Sequence, residues 1–298
     1  TLFLVVSYYL YIIKNYRCVS YYLYIKYMLG FIQPIFCPND DMYEKNIKSI
    51  DSLLKYYKKM NYNYKIILGG YCVKDVYYKN IVERCLDFDV IIDRYDDNYG
   101  KAYIINDLIS KYLTTDVDDY FITYDSDIIF KYDEADIVDR IYDCYNYIDY
   151  WLGFKNTSGI DKPIGIIALE HEINCLHLPD GRVFEHSFDS KNNISEKICR
   201  PHRDTGIAGG CFAIKISVWN EVGGYRLNSV YGGGDDAFLL QDLYKIGYMS
   251  YIAMSIPIIH PFDDSEIYKK WKDDMNNNIS DSYDIAVEKT KNFWGNLS

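Results

Sequence analysis

The sequence has no excess of basic residues, and this absence excludes a large class of partners. Its 298 residues carry 32 Lys and Arg against 43 Asp and Glu, for a net charge of −11. A protein that binds the phosphate backbone of nucleic acid presents a positive face. We therefore expect no nucleic-acid partner. An acidic chain that handles an anionic substrate needs a local cation, and a divalent metal ion is the obvious candidate.

The eight cysteines form no C-x-x-C motif, and no second cluster of His and Cys completes a zinc pattern. Scattered cysteines fit reduced thiols better than a disulfide framework, and reduced thiols are typical of the cytosol. We therefore predict a cytoplasmic protein.

The sequence also lacks an apolar run long enough to cross a membrane. The N-terminal run TLFLVVSYYLYII has 13 residues before Lys14 interrupts it, whereas a membrane span needs about 18–20 residues. Association with a membrane stays open but has no support in the sequence. We interpret residues 1–28 as an irregular or non-native extension, with a degenerate signal anchor as the alternative.

Strands and helices alternate through the first half of the chain from residue 29. Buried-strand runs are followed by segments with apolar residues at helical spacing, such as Ile47, Ile50 and Leu54. The predicted strands are Leu29–Phe36, Tyr64–Leu68, Asp89–Asp93 and Tyr120–Phe130, and the predicted helices are Asn46–Met60, Tyr77–Cys85 and Asn98–Leu113. This alternation predicts an α/β fold with a mostly parallel central sheet and flanking helices.

The second half of the chain is less regular, but it has no repeat and no long linker. Residues 161–200 indicate a strand pair or a loop insertion. Further predicted segments are a strand with a turn at Gly209–Trp219, a helix at Asp235–Gly247 and a strand at Tyr251–His260. We therefore predict a single domain over residues 29–262, followed by a helical tail over residues 263–298.

Two acidic residues follow the predicted fourth strand, in the sequence Asp125-Ser126-Asp127. In an open α/β sheet, ligands bind outside the carboxyl ends of the strands. Alternation along a strand would place Asp125 and Asp127 on one face, where two carboxylates suit a hard divalent cation that also holds substrate phosphates. A lone D-x-D in so acidic a chain is also compatible with a solvated turn.

Three other features point to the same chemistry. The stretch NYGKAYIIN (Asn98–Asn106) predicts a tight turn into a helix whose N-terminus can face an anion. In YGGGDDAFLL (Tyr231–Leu240), the glycines let the backbone approach a ligand, and the dipole of the following helix stabilises two carboxylates in its first turn. Helix capping explains one of those aspartates but not the second or the glycines. His260, which ends the last predicted strand, could complete a metal site with a neutral imidazole.

Taken in order, a set of motifs resembles those of the GT-A glycosyltransferases. They are QPIFC, NYGKAYIIN, YDSD, GIAGGCFAIKISVWNEVGGY, YGGGDDAFLLQDLYKIGY and IIHPF. The resemblance is to the family 2 type and to the related galactosyltransferase C-terminal region, and it covers about residues 29–262. The block from Gly206 to Tyr248 is its most specific part. It implies a Rossmann-like GT-A fold and an enzyme that moves a sugar from a nucleotide-sugar donor.

The resemblance also implies a divalent metal cofactor, Mn²⁺ or Mg²⁺, and a donor site. The metal ligands would be Asp127, His260 and Asp125, of which Asp125 would contact either the metal or the donor ribose. The donor-binding set would be Pro34, Cys37, Lys101, Asp125 and Asp127. UDP is the default nucleotide, and the acceptor would be a glycan, a lipid or a protein.

On the acceptor side, the resemblance implies that Asp236 is the general base that removes the proton of the acceptor hydroxyl. Attack from the opposite face of the sugar would then invert the anomeric carbon. The acceptor contacts would come from Asp235 and from the four glycines Gly209, Gly210, Gly233 and Gly234.

Two departures from the family pattern leave alternatives open. The sequence Gly69-Gly70-Tyr71-Cys72 stands where members often have an Asp that reads the nucleobase, and Asp235 stands in place of a Glu. The alternatives are a retaining GT-A transferase, a nucleotidyltransferase, and a sugar- or nucleotide-binding module without catalysis. A nucleotidyltransferase would want a basic, glycine-rich loop after the first strand, and QPIFCPNDD is not one.

Overall fold

A computed structural model describes most of the chain from residue 28 onwards. The described ranges are 28–57, 64–113, 120–131, 137–152, 162–171, 184–190, 193–200, 210–227, 235–261, 265–276 and 283–295. Residues 1–27 lie outside these ranges, so the interpretation of residues 1–28 as an extension stays a prediction. Gly209, Gly233 and Gly234 also lie outside the described ranges. No helix within the described ranges has the length and apolar character needed to cross a bilayer.

The described residues form ten strands and eight helices. The strands are β1 (Met28–Phe36), β2 (Lys65–Tyr71), β3 (Val90–Tyr95), β4 (Tyr120–Tyr124), β5 (Ile129–Phe130), β6 (Ile164–His171), β7 (Phe184–Asp189), β8 (Ser195–Arg200), β9 (Cys211–Lys215) and β10 (Met249–Ile259). The helices are α1 (Asp40–Tyr57), α2 (Asp75–Cys85), α3 (Gly100–Tyr112), α4 (Ile137–Leu152), α5 (Ile216–Val222), α6 (Asp235–Lys245), α7 (Glu266–Asn276) and α8 (Tyr283–Gly295).

All ten strands join one sheet in the order β3-β2-β1-β4-β9-β6-β10-β8-β7, with the short β5 paired to β10. Strands β1 to β4 are mutually parallel, and β6 is parallel to β10. Strands β9, β8 and β5 run against their neighbours. The predicted α/β fold with a mostly parallel central sheet and flanking helices is confirmed. The strand order reverses between β1 and β4, and ligands of open α/β sheets bind at the carboxyl ends of the strands beside such a reversal.

Helices cover both faces of the sheet because its central strands are apolar on both sides. The five residues of β4 are all buried, as expected for a strand inside a parallel sheet. One apolar core includes Ile50 of α1, and the other includes Leu108 of α3. The tail helices α7 and α8 contribute Trp271 and Ala286 to the second core, so the tail packs on the same sheet as the rest of the chain.

The predicted single strand over Tyr120–Phe130 is wrong. The chain leaves the sheet after Tyr124, turns through Ser126 and Asp127, and then forms β5, which pairs antiparallel with the end of β10. The turn is closed by the amide of Ile128, which donates to the carbonyl of Asp125 at 3.2 Å. Asp125 and Asp127 therefore owe their positions to this turn and to the β5–β10 pairing, and not to strand alternation.

The structure assigns regular elements to two regions for which the sequence pattern gave no definite strand or helix. Residues 161–200 contribute β6, which lies inside the sheet between β9 and β10, and the β7–β8 hairpin at its edge. Helix α4 was not predicted, although its buried residues Ile137, Ile141, Cys144 and Ile148 follow helical spacing.

A buried ion pair joins α4 to two strands of the second half. Arg140 donates to both carboxylate oxygens of Glu196 in β8, at 2.5 and 3.0 Å, and to the carbonyl of Ser255 at 2.5 Å. The hydroxyl of Ser255 donates to the same carboxylate. The pairing of β10 with β6 is irregular between Ala253 and Pro257. Arg140 and Glu196 therefore supply hydrogen-bond partners at an irregular stretch of β10.

Glu196→Ala should destabilise the fold strongly, because it leaves the guanidinium of Arg140 buried without its counter-charge. The side chain of Glu196 is 0% exposed, and breaking a buried pair by removing one partner typically costs about 3–5 kcal/mol. Urea unfolding of the two proteins measures the difference in free energy of unfolding.

The matched control is Asp51→Ala, which breaks the exposed pair between Arg84 and Asp51. Exposed pairs contribute about 0–1 kcal/mol, so this variant should unfold close to the parent. Equal losses for the two variants would show that the Arg140–Glu196 pair is no more important than a surface pair.

Candidate active site

The turn after β4 is anchored to its neighbours through the main chain. The amide of Asp125 donates to the carbonyl of Gly210, which immediately precedes β9, at 2.7 Å. Because β4 and β9 are antiparallel neighbours, this bond extends their ladder by one step beyond Tyr124. Gly210, predicted as an acceptor contact, thus lies directly beside the first aspartate of the D-x-D motif.

A buried glutamine, Gln33 of β1, holds the same turn from the other side. Its side-chain amide donates to the carbonyl of Ser126 at 3.2 Å and to the hydroxyl of Ser49 at 2.7 Å, and its oxygen accepts from Tyr124 at 3.3 Å. Ser49 in turn donates to the carbonyl of Ile128 at 2.5 Å. Sequence reasoning missed Gln33, and the signal available was one polar amide inside the apolar strand FIQPIF.

Lys101 lies in the first turn of α3, which begins at Gly100. Gly100 has a φ of +76°, and its amide donates to the side-chain oxygen of Asn98 at 3.1 Å. Helix α3 packs closely on β2: a Cβ at Gly69 would lie 2.5 Å from a methyl carbon of Ile104. Gly69 belongs to one of the two departures from the family pattern. Because it has no side chain, α3, which carries Lys101, can pack closely against β2.

The ammonium of Lys101 lies between two carboxylates from different elements. Its Nζ is 2.6 Å from Oδ1 of Asp125 and 3.6 Å from Oδ1 of Asp236, in the first turn of α6. The Lys101 side chain is only 12% exposed. Three of the residues predicted for the site are thus brought together at the carboxyl end of β4.

Burial and ion pairing oppose each other in this cluster, and ion pairing dominates. Burial disfavours the charged form of Lys101, but the carboxylates of Asp125 and Asp236 outweigh it and raise the pKa of Lys101 well above its ordinary value. Burial likewise disfavours ionised Asp125, yet Lys101 and His260 lower the pKa of Asp125 below its ordinary value. The cluster therefore contains a permanent cation and an ionised Asp125 at neutral pH.

Asp236 has a second partner that the sequence analysis did not identify. The hydroxyl of Tyr225 donates to Oδ1 of Asp236 at 2.9 Å. The main chain of Tyr225 is held in turn by Asn106 of α3, whose side-chain amide donates to the Tyr225 carbonyl at 2.9 Å and accepts from the Tyr225 amide at 3.0 Å. Asp235 begins α6, and its side chain lies outside the described part of the structure.

His260 and Asp127 form the other half of the site. Residue His260 directly follows β10, and its Nε2 lies 3.4 Å from Oδ1 of Asp127. Burial works against the imidazolium, but the hydrogen bond to Asp127 and the charges of Asp127 and Asp125 raise the pKa of His260 above its ordinary value. The β5–β10 pairing, which the sequence did not reveal, explains why these two side chains meet.

The Asp127–His260 pair fits two ligands of one divalent ion. An ion about 2.1 Å from each of two ligand atoms holds them roughly 3 Å apart, close to the observed separation. Over the ranges that the structure describes, no group of three or more His, Cys, Asp and Glu side chains is arranged to hold a metal ion. Mg²⁺ usually takes only one or two carboxylates and completes its shell with water and substrate phosphates.

The predicted donor contacts in β1 and directly after it are buried. Pro34 and Cys37 have no substantial exposure, and the side chain of Cys37 is 0% exposed inside the first apolar core. Burial raises the pKa of the Cys37 thiol well above its ordinary value, so this thiol stays protonated. Neither residue is exposed to a donor in this structure, and the roles of both stay predictions.

No protein-family model matches the chain, and no curated protein matches it. Solved structures match in fold. S. aureus TarS 1–349 in complex with UDP-GlcNAc is 10% identical with a TM-score of 0.50, over 81% of this chain and 60% of that chain. GalNAc-T7 with UDP, GalNAc and Mn²⁺ is 12% identical with a TM-score of 0.51, over 80% of this chain and 44% of that chain.

The likeness to these two structures identifies the fold. The chain has the GT-A-like fold of these two structures, and it spans 60% of the TarS fragment and 44% of the GalNAc-T7 chain. The likeness at this identity concerns architecture alone, so the chemistry of the site has to be argued from its own residues.

Asp125→Asn in metal-free buffer should change how stability depends on pH. The pKa of folded Asp125 lies below its ordinary value of 3.8, so the unfolded chain takes up the proton first as pH falls. The ionised carboxylate thus stabilises the fold above that ordinary value, and its contribution is lost as pH falls through the lower folded pKa. The stability gap between parent and variant should be largest at neutral pH and shrink as pH falls below 3.8, through the lower pKa of the folded protein.

Urea unfolding at a series of pH values measures this gap. Asp284→Asn, which alters an exposed carboxylate of α8, is the control and should give no such pH-dependent gap. A gap for Asp125→Asn that stays constant from neutral to acid pH would contradict the Lys101–Asp125 pairing.

Proposed function

We propose that this protein is a glycosyltransferase that moves a sugar from a nucleotide-sugar donor to the hydroxyl of a glycan, lipid or protein acceptor. The observation that carries the proposal is the meeting of Asp125, Lys101 and Asp236 at the carboxyl end of β4, on a GT-A-like fold. Similar structures contain UDP-GlcNAc, in TarS, and UDP, GalNAc and Mn²⁺, in GalNAc-T7. A UDP-sugar is therefore the first donor to test.

Asp236 is the proposed general base. It lies in the first turn of α6, where the helix dipole favours the ionised carboxylate. An ionised carboxylate within hydrogen-bond reach of the acceptor hydroxyl can remove its proton as the oxygen attacks the anomeric carbon. Attack opposite the leaving nucleotide inverts that carbon, as expected for a family 2-like enzyme. Asp235, Gly210 and the glycines before α6 are the proposed acceptor contacts.

The phosphates of the donor are proposed to bind beside Lys101 and the Asp127–His260 pair. The buried ammonium of Lys101 supplies positive charge beside the position proposed for the diphosphate. Asp127 and His260, with Asp125, would hold Mn²⁺ or Mg²⁺. When bound, that ion offsets the charge that develops on the leaving diphosphate. Because the pKa of His260 is raised, metal binding has to displace its proton and should weaken as pH falls.

Asp236→Asn should strongly reduce turnover and spare donor binding, because it removes the base and keeps the shape of the side chain. General-base catalysis contributes about 10²–10⁴-fold, so kcat should fall by that order. A panel of nucleotide-sugars first identifies the donor by its hydrolysis. Transfer or hydrolysis rates and calorimetry of nucleotide binding are then compared, with Asp284→Asn as the control for loss of one exposed charge. Parent-like turnover of Asp236→Asn would rule Asp236 out as the base.

The stereochemical outcome is tested on the same reaction. Proton NMR of the first product formed reports the configuration of the anomeric carbon. Inversion agrees with a base at Asp236, and retention would assign the chain to the retaining alternative.

Asp127→Ala should remove most of the metal dependence of nucleotide binding. In the parent, Mn²⁺ should tighten the binding of UDP, because Asp127 would hold an ion whose positive charge attracts the diphosphate. Calorimetry of UDP with and without Mn²⁺ measures this gain, which we expect to fall by about tenfold or more in the variant. Asp284→Ala is the control. An undiminished Mn²⁺ gain in Asp127→Ala would remove Asp127 from the metal site.

A further inference from the structure

Tyr225 lies at a junction of three elements that build the proposed site. It follows α5 and precedes α6 along the chain, and its main chain is bonded to α3 through both hydrogen bonds of Asn106. Its ring lies 5.9 Å from the ammonium of Lys101, measured from the ring centroid. Its hydroxyl reaches Asp236.

The ring of Tyr225 is held independently of its hydroxyl. The residue is 2% exposed, and its ring packs edge-on against Trp219 at 5.2 Å and Phe212 at 6.5 Å between centroids. The residue before it, Gly224, has a φ of +72°, and a Cβ there would lie 2.6 Å from the side-chain oxygen of Asn106. Glycine at this position thus lets Asn106 reach the main chain of Tyr225, and packing fixes where the hydroxyl points.

Both contacts to Asp236 are made to the same carboxylate oxygen. Within the described part of the chain, Oδ1 accepts from Tyr225 at 2.9 Å and faces Lys101 at 3.6 Å. A carboxylate held at one oxygen by two groups cannot rotate freely, so its second oxygen, Oδ2, keeps a fixed direction. Oδ2 is then the oxygen available to an acceptor hydroxyl.

We propose that Tyr225 is a positioning residue that orients Asp236 so that Oδ2 receives the acceptor proton. The inference rests on the proposed role of Asp236 as the base. Tyr225 takes no proton itself and acts through the carboxylate it holds. Misplacing a catalytic group by about 1 Å can cost 10²-fold in rate, so a lost tether should reduce kcat and leave donor binding intact.

The test is Tyr225→Phe, which removes the hydroxyl and keeps the ring that packs on Trp219. We expect kcat to fall about 10–100-fold, with KM for the donor and the melting temperature close to those of the parent. Tyr248→Phe is the matched control, because the Tyr248 hydroxyl also donates to a carboxylate, that of Glu221, at 2.7 Å. This control should keep the kcat of the parent. An unchanged kcat in Tyr225→Phe would overturn the inference.

A double-mutant comparison separates the inference from the proposed function. In an Asp236→Asn background, Tyr225→Phe should reduce kcat by less than twofold, because the group it positions is gone. A full additional loss would overturn the positioning role. Loss of turnover in Asp236→Asn together with parent-like kcat in Tyr225→Phe would refute the inference alone, whereas parent-like turnover in Asp236→Asn would refute the base assignment itself.

Crystal structures of the parent and Tyr225→Phe give a readout that does not depend on finding the substrate. We expect the Asp236 carboxylate to be ordered in the parent and rotated or disordered in the variant. The same well-ordered conformer in both would overturn the inference, whatever the catalytic measurements show.

Discussion

The ammonium of Lys101 is the interaction on which the site depends. Asp125 directly follows β4 and Asp236 lies in the first turn of α6, so two elements far apart in the sequence present carboxylates to one small volume. Without a cation between them, these charges would repel each other in a region that excludes much of the water. A buried ammonium is itself costly, and it is tolerated because two carboxylates compensate it. The close approach of α3 to β2 at Gly69 is what allows the helix to deliver Lys101 to this position.

Buried and half-buried polar side chains fix the elements around this cation. Gln33 and Ser49 bind the turn that contains Asp125 and Asp127, and Asn106 binds the chain around Tyr225. Buried polar groups are unfavourable unless they are satisfied, so each of these bonds also penalises any displacement of the loop it holds. The site is therefore built from loops and helix ends held by the interiors of α1, α3 and β1, as a precise constellation requires.

Much of the fold could be predicted from the sequence, because the parallel half has strong local signals. The runs that became β1, β2 and β3 are apolar and bounded by turn residues, and α1 and α3 show helical spacing. The sequence could not show that the run from Tyr120 to Phe130 breaks at Asp125, because β5 exists only through its pairing with β10. Helix α4 differs from β5, because its buried residues already follow helical spacing in the sequence. Gln33 and Tyr225 were missed because their roles arise from contacts across 93 and 11 residues of sequence, respectively.

The need for a local cation, which the acidic composition implies, is met in part by the chain itself. Lys101 neutralises the carboxylates on either side of it, whereas Asp127 lies opposite the imidazole of His260. The proposed diphosphate would then face two cations. One is the ammonium of Lys101, and the other, at a second position, is a divalent ion held by Asp127 and His260. Lys101 is permanently charged, because its pKa is raised, but the second position depends on pH through His260. The ammonium of Lys101 is thus the fixed cation beside the proposed base, whereas the proposed metal ion would be an exchangeable one that the donor itself would help to bind.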